Sequence, residues 1–289
     1  MIDLHCHSIF SDGSKTPEEL VALAEEAGLT ALALTDHDTT DGLERFMNAG
    51  KNSPVQTLHG MELSAEYGET PLHILGYGFD PSSPTLQEAL AWVREGRAAR
   101  NFQIVEKLNT LGYNLTFEDV RRHSADDLVG RPHFAAALIE KGHFKHKDKV
   151  FKQLLGKNCA AYVDRRRLKP GECLEVIRAA GGVPVIAHPG QMRLTRNKLR
   201  RLVKKLKEQG LGGLEVWHPS HPPHQVKAFE QICKDFDLIA TGGTDFHGAL
   251  TPDLSLGTGF GNLCVPDDVL EKLFEHEKKR ISIASGDSF

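Results

Sequence analysis

Asp245-Phe246-His247 repeats, late in the chain, the two-residue spacing of His5-Cys6-His7 at its start, and both clusters adjoin short apolar runs. Thr35-Asp36-His37-Asp38 and Ala187-His188-Pro189 sit in the same way, each where a β-strand would hand over to a loop. Imidazoles and carboxylates collected at strand ends are how an α/β scaffold builds a metal site on one face. Clusters spread from residue 5 to residue 247 can share one face only if the fold closes on itself. That requirement points to a barrel.

The runs between the clusters agree with it. Thr16 predicts a helix N-cap, with Pro17 at the first helical position, Glu19 completing a capping box and Gly28 ending the helix. Ala31–Thr35 is then a buried strand, because so short an apolar run between a helix stop and Asp36 cannot make a helix. Further strands are expected at Val55–Leu58, Leu72–Gly76, Val183–Ala187, Leu214–Val216 and Leu238–Thr241, with helices at Gly171–Ala180, Asn197–Gln209 and Pro223–Phe236. Helix–strand alternation implies a parallel sheet whose strand C-termini carry the site. Between Thr85 and Lys169 the rhythm breaks into helical, charged sequence: Thr85–Leu111, Phe117–His123 and His133–Lys141. The expected organisation is a β/α barrel from residues 1–84 and 170–289, with a mainly helical insertion, 85–169, packed over its mouth. A last helix is expected at Asp267–Lys278.

Composition excludes some partners. With a formal charge of -4, the chain has no global basic field to hold a long nucleic-acid duplex, although a local basic pocket for a small phosphorylated ligand stays open. No run approaches the roughly 18 apolar residues of a membrane span, and the chain opens on Ile2-Asp3-Leu4-His5 without a basic-then-apolar signal segment. The five scattered cysteines lack CxxC spacing and fit a reducing cytoplasm.

On an extended strand His5 and His7 point to one face. Asp12 follows in a Ser-Asp-Gly turn that can fold a carboxylate back, and His37 follows the strand Ala31–Thr35. Glu62 lies between Met61 and Leu63, a position for an internally paired charge or for a carboxylate that bridges two cations about 3.5–4 Å apart. His73 sits in an apolar strand, where a core role competes with a ligand role; His188 stands at a strand end stopped by Pro189. With Asp245 and His247 these make nine candidate ligands, too many for one ion and suited to three. Nitrogen and oxygen donors without a thiolate cluster favour Mn, Zn or Fe over calcium.

These motifs resemble the polymerase and histidinol phosphatase (PHP) family of phosphoesterases: His5-x-His7 with Asp12, Thr35-Asp36-His37, Glu62, His73, His188, and Gly243-Thr244-Asp245-Phe246-His247-Gly248. The resemblance spans the chain apart from the insertion. It implies a distorted seven-stranded β/α (TIM-like) barrel with three divalent ions, Mn foremost. His5, His7, Glu62 and Asp245 would hold one ion; Glu62, His73 and His188 a second; Asp12, His37 and His247 the third. Gly130-Arg131-Pro132-His133, the Tyr162–Arg167 stretch and Trp217-His218-Pro219-Ser220-His221 resemble the branch acting on nucleoside 3′,5′-bisphosphates and short 5′-phosphorylated RNA.

The chemistry expected is attack by a metal-bound hydroxide on phosphorus, with no covalent enzyme intermediate. His218 and His221 are candidates to protonate the leaving oxygen, or are simply loop histidines. Arg131 offers a planar fork for a second phosphate, His133 lies beside it, and Arg165 and Arg167 belong to the densest basic run near the insertion's end. Capping and salt-bridging compete with each of these roles. Trp217 or Phe246 could stack on a base. Histidinol phosphate hydrolysis stays open because the ligand set is common to both branches. An amidohydrolase-type enzyme would want a bridging lysine where this chain offers Glu62. A non-catalytic nucleotide-binding protein stabilised by metal would lose stability, and not activity alone, on chelation.

Overall fold

The computed structural model of the chain describes residues 1–68, 70–123 and 129–275. It divides into two compact units, one formed by Met1–Ala89 with Leu168–Phe289 and the other by Leu90–Arg167.

In the first unit the elements run β1 (Ile2–Cys6), α1 (Pro17–Glu26), β2 (Ala31–Leu34), α2 (Leu43–Gly50), β3 (Gln56–Tyr67) and β4 (Thr70–Tyr77). Helix α3 (Pro84–Thr110) leads into the second unit, where α4 (Phe117–Arg121), α5 (Arg131–Glu140) and α6 (Lys147–Val150) follow. The first unit resumes with α7 (Pro170–Ala179), β5 (Val183–Ile186), α8 (Arg196–Glu208), β6 (Gly213–Trp217), α9 (Pro223–Phe236) and β7 (Ile239–Gly242). Residues 268–275 are helical (α10); the remainder of the expected Asp267–Lys278 helix lies outside the described residues. The local signals act as their chemistry dictates. Thr16 accepts the Glu19 N–H, the Glu19 side chain returns to the Thr16 N–H, and Gly28 exits α1 at φ +68°.

The seven strands form one sheet in sequence order. Past β7 the sheet meets β1 again: the Asp245 N–H donates to the His5 carbonyl at 2.8 Å and the His7 N–H to the Phe246 carbonyl at 2.9 Å. The barrel is thus nearly closed, by the two segments that carry the matching clusters. Its core includes Ile2, Leu4, Ala33, Leu75, Tyr77, Val185 and, from α10, Val269 and Leu273. Burying each large side chain contributes on the order of 1.5–3 kcal/mol. Tyr77 also donates its hydroxyl to the Leu4 carbonyl at 2.8 Å, so the buried phenol keeps a partner.

One expectation fails. The sheet is not all parallel, because β4 runs against both β3 and β5. Strand β3 extends to Tyr67, well beyond the expected Val55–Leu58, and the chain turns through Gly68 at φ +63° straight into β4. So short a connection can only make a hairpin. Reversal places the beginning of β4, not its end, beside the C-terminal part of β3: His73 pairs with Ser64. The His73 carbonyl also accepts the Ala187 N–H at 3.0 Å, next to His188.

The second unit packs Ile104, Leu108, Leu115, Val120, Phe134, Leu138 and Leu155 into its own apolar cluster. Among the described residues no helix is long and apolar enough to cross a membrane.

Candidate metal centre

Three buried aspartates fold the loops that deliver the site. Asp36 accepts the Ser8 N–H at 2.8 Å and the hydroxyls of Ser8 and Ser11 at 2.6 and 2.5 Å, turning the loop after β1 so that Asp12 comes back toward His7. Asp3 holds the loop after β7 through the Thr244 N–H and hydroxyl (2.9 and 2.6 Å) and the Gly257 N–H (2.8 Å). Asp38 accepts the N–H and hydroxyl of Ser64 at 2.8 and 3.0 Å. Gly243 is required by space, since a Cβ there would stand 2.4 Å from the His5 backbone nitrogen. Asp38, His188 and Asp245 take positive φ values of 54°, 26° and 55°. Such conformations cost of order 1–3 kcal/mol each and persist only where the surroundings impose them.

The nine candidate ligands converge. His5 and His7 both face Glu62 and Asp245: His5 Nε2 lies 3.3 Å from Glu62 Oε2 and 3.3 Å from Asp245 Oδ1, and His7 Nε2 lies 3.3 and 3.2 Å from the same atoms. The other oxygen of Glu62, Oε1, is 2.8 Å from both His73 Nδ1 and His188 Nε2. Asp12 meets His247 Nε2 at 3.1 Å and His37 Nε2 at 3.8 Å. His37 also turns Nδ1 to Glu62 Oε2 at 3.1 Å, so it stands between two groups instead of belonging to one. Among the described residues, three sets hold their donor atoms within 4.8 Å of one another: His5, His7, Glu62 and Asp245; His7, Asp12, His37 and His247; and His37, Glu62 and His73.

The donor set fits cations. His7 Nε2, His37 Nδ1 and Asp12 Oδ1 are buried without a hydrogen-bond partner, an arrangement that costs free energy unless a cation takes those lone pairs. Burial alone would raise the Glu62 carboxyl, yet the imidazoles of His37, His73 and His5 hold it well below the usual carboxylate range. Asp245 is held down in the same way, against its burial, by His5, His218 and His7, and Asp12 by His37, His247 and His7. Burial pushes the His37 imidazole down to about 4, against the pull of Glu62 and Asp12. Cys6 lies between the first two histidines, but burial pushes its thiol well up and its Sγ donates to the Ala33 carbonyl, so it supplies no thiolate.

His218 and His221, on the loop after β6, differ in their surroundings. The Ser220 N–H donates to His218 Nδ1 at 3.0 Å, and His218 Nε2 lies 3.4 Å from Asp245 Oδ2. His221 donates from Nδ1 to the Val216 carbonyl at 2.9 Å and accepts the Gly190 N–H on Nε2 at 3.1 Å. Burial holds it near 4, a neutral ring with both nitrogens engaged by backbone. Sequence reading overlooked Glu215 of β6, fully buried, with Oε1 2.9 Å from His5 Nδ1 and Oε2 2.6 Å from the His188 backbone nitrogen. The available signal was an acid flanked by Leu214 and Val216 inside an apolar strand.

In the second unit Arg131 is partly buried, donates to the Leu155 carbonyl at 3.0 Å and lies over the Tyr162 ring at 5.3 Å. His133 caps its own helix, its Nδ1 accepting the Gly130 N–H at 3.0 Å. Asp164 accepts the Arg165 backbone N–H at 2.9 Å and Arg167 Nη1 at 2.7 Å. Arg100, also overlooked in the sequence, is buried among cations. Burial and the charges of Arg97, Arg165, Arg131 and Arg167 push it down to about 9.

The PHP domain profile matches residues 3–217. The 3′,5′-nucleoside bisphosphate phosphatase of Chromobacterium violaceum is 35% identical over 247 residues, covering 85% of this chain and 87% of its own. The 5′-3′ exoribonuclease of Haemophilus influenzae is 33% identical over 245 residues, covering 85% and 89%. Among solved structures, a Bifidobacterium adolescentis protein assigned as a metal-dependent phosphoesterase superposes with a TM-score of 0.81 at 32% identity, covering 94% of this chain and 95% of the other.

Proposed function

The chain belongs to the PHP domain family of metal-dependent phosphoesterases, and from that premise we propose that it removes the 3′-phosphate of nucleoside 3′,5′-bisphosphates and acts also on short 5′-phosphorylated RNA. The observation that carries the reading is Glu62, whose two oxygens serve His5, His7 and His37 on one side and His73 and His188 on the other. A carboxylate shared in this way suits a multinuclear centre.

Three divalent ions, Mn first and Zn or Fe next, would be held by His5, His7, Glu62 and Asp245, by Glu62, His73 and His188, and by Asp12, His37 and His247. Bound there, such ions neutralise phosphoryl oxygens and lower the pKa of a water enough to supply hydroxide at neutral pH. The protein's own side chains do the rest. With Nδ1 accepting the Ser220 N–H, His218 turns Nε2 toward Asp245. We assign to His218 the protonation of the leaving oxygen, and to His221 only the support of its loop. Arg131, Arg165 and Arg167 bind the remaining phosphate, and His133 sets the start of the helix that presents Arg131. The five free cysteines favour a cytoplasmic location.

Phosphate release by the Mn-loaded protein from adenosine 3′,5′-bisphosphate, AMP, histidinol phosphate and a short 5′-phosphorylated RNA tests the assignment. The bisphosphate should turn over fastest. Preference for histidinol phosphate would replace the substrate with that of the other branch, and tight nucleotide binding without turnover would make the chain a binding protein.

A further inference from the structure

Among the described residues the Glu215 carboxylate makes two hydrogen bonds, and both end on candidate ligands. Its Oε1 lies 2.9 Å from His5 Nδ1, and both side chains are fully buried. With Glu215 Oε1 accepting from Nδ1, His5 keeps its lone pair on Nε2. That Nε2 is the atom 3.3 Å from both Glu62 Oε2 and Asp245 Oδ1. Glu215 Oε2 accepts the His188 backbone N–H at 2.6 Å. His188 holds φ 26° and ψ 60°, a conformation an L-residue keeps only when fixed from outside, and it leads to Nε2 at 2.8 Å from Glu62 Oε1.

We infer that Glu215 is a positioning residue: one carboxylate fixes the His5 tautomer and the His188 backbone, so that imidazoles from two distant strands face Glu62 together. The inference rests on the metal reading of the site. It places Glu215 behind two of the three proposed ion sets, while Asp12, His37 and His247 lie outside its contacts. Hydrogen-bonded carboxylates behind metal-bound histidines typically carry a 10- to 100-fold effect on ion affinity.

Glu215→Gln keeps the shape but has one accepting oxygen and one NH2, so it can accept from only one of the two donors. The test is a calorimetric Mn titration of the chelated wild type and variant, with ion content after dialysis and the melting temperature of the chelated proteins. We expect affinity at two of the sites to fall roughly 10- to 100-fold, the third to be unchanged, and the chelated variant to melt within a few degrees of wild type. Excess Mn should restore most of kcat. Wild-type affinity at every site in the variant would overturn the inference alone, and a wild type that takes up no divalent ion would overturn the metal reading with it. If Glu215→Gln does not fold, Glu215→Asp decides in its place: weaker Mn binding at unchanged melting temperature supports the role, and wild-type binding overturns it.

Discussion

Glu62 Oε1 and His73 Nδ1 stand 2.8 Å apart across two strands that run in opposite directions. The hairpin brings a histidine from the start of β4 to a carboxylate in the middle of β3. Both oxygens of Glu62 are engaged by imidazoles, so this residue links more of the candidate ligands than any other described here. Glu62→Gln should lower turnover by more than about 100-fold and reduce bound metal in parallel, a larger effect than losing a residue behind the ligands. Elemental analysis beside a phosphate-release assay checks it; an active, metal-replete variant would contradict the bridging role.

His218→Gln should separate chemistry from binding. A proton donor to the leaving oxygen is worth about 10²–10⁴-fold where the leaving group is a poor one. Turnover of a nucleoside 3′-phosphate should therefore drop at least about 100-fold with KM little changed, while an aryl phosphate with an acidic leaving group is hardly affected. Equal losses on both substrates would remove His218 from that step. His221→Gln should instead lower the melting temperature, because its ring nitrogens bridge Val216 and Gly190.

Arg131→Ala should raise KM for doubly phosphorylated substrates by about tenfold or more, the scale of one charge-assisted hydrogen bond. It should leave KM for a simple aryl phosphate nearly alone. The same shift with both would place Arg131 outside the phosphate pocket.

Three buried thiols, Cys6, Cys173 and Cys233, make stability depend on alkaline pH. Burial pushes Cys173 up strongly and Cys233 up to about 12. In the unfolded chain these thiols ionise near pH 8.5, whereas in the native protein they stay protonated. Their contribution is thus complete below pH 8.5 and is lost as pH rises toward 12, at about 1.4 kcal/mol per pH unit for each thiol. Urea melts at pH 8, 9 and 10 should show the decline, and a Cys173→Ala/Cys233→Ala variant should make it shallower, leaving the share of Cys6. An unchanged slope would refute the assignment.

The sequence made some of this plain and hid the rest for definite reasons. Strand alternation put His5 and His7 on one face, and the Thr16–Glu19 box defined α1, because both signals are local. Helix α2 was missed: its N-cap, Gly42, makes no side-chain capping bond, so no start signal marks it. The direction of β4 hinged on Gly68, one glycine whose meaning depended on how far β3 extended. Glu215 was invisible for another reason. Its purpose is set by His5 and His188, residues far from it along the chain, and only the closed sheet brings them to it. His37 looked like a member of one ion set because spacing cannot reveal that its two nitrogens face different neighbours. Arg97 and Arg100 lie in a helical stretch rich in charge, where nothing separates a buried cation from a solvated one.

The ladder between His5 and Asp245 has a consequence for biosynthesis. A nascent polypeptide halted before β7 leaves the ribosome would already possess Glu62 and most of the histidines, yet lack the backbone seam that draws both extremities together. Catalytic competence would then arrive late in translation, and a prematurely terminated product would be inert rather than partly active.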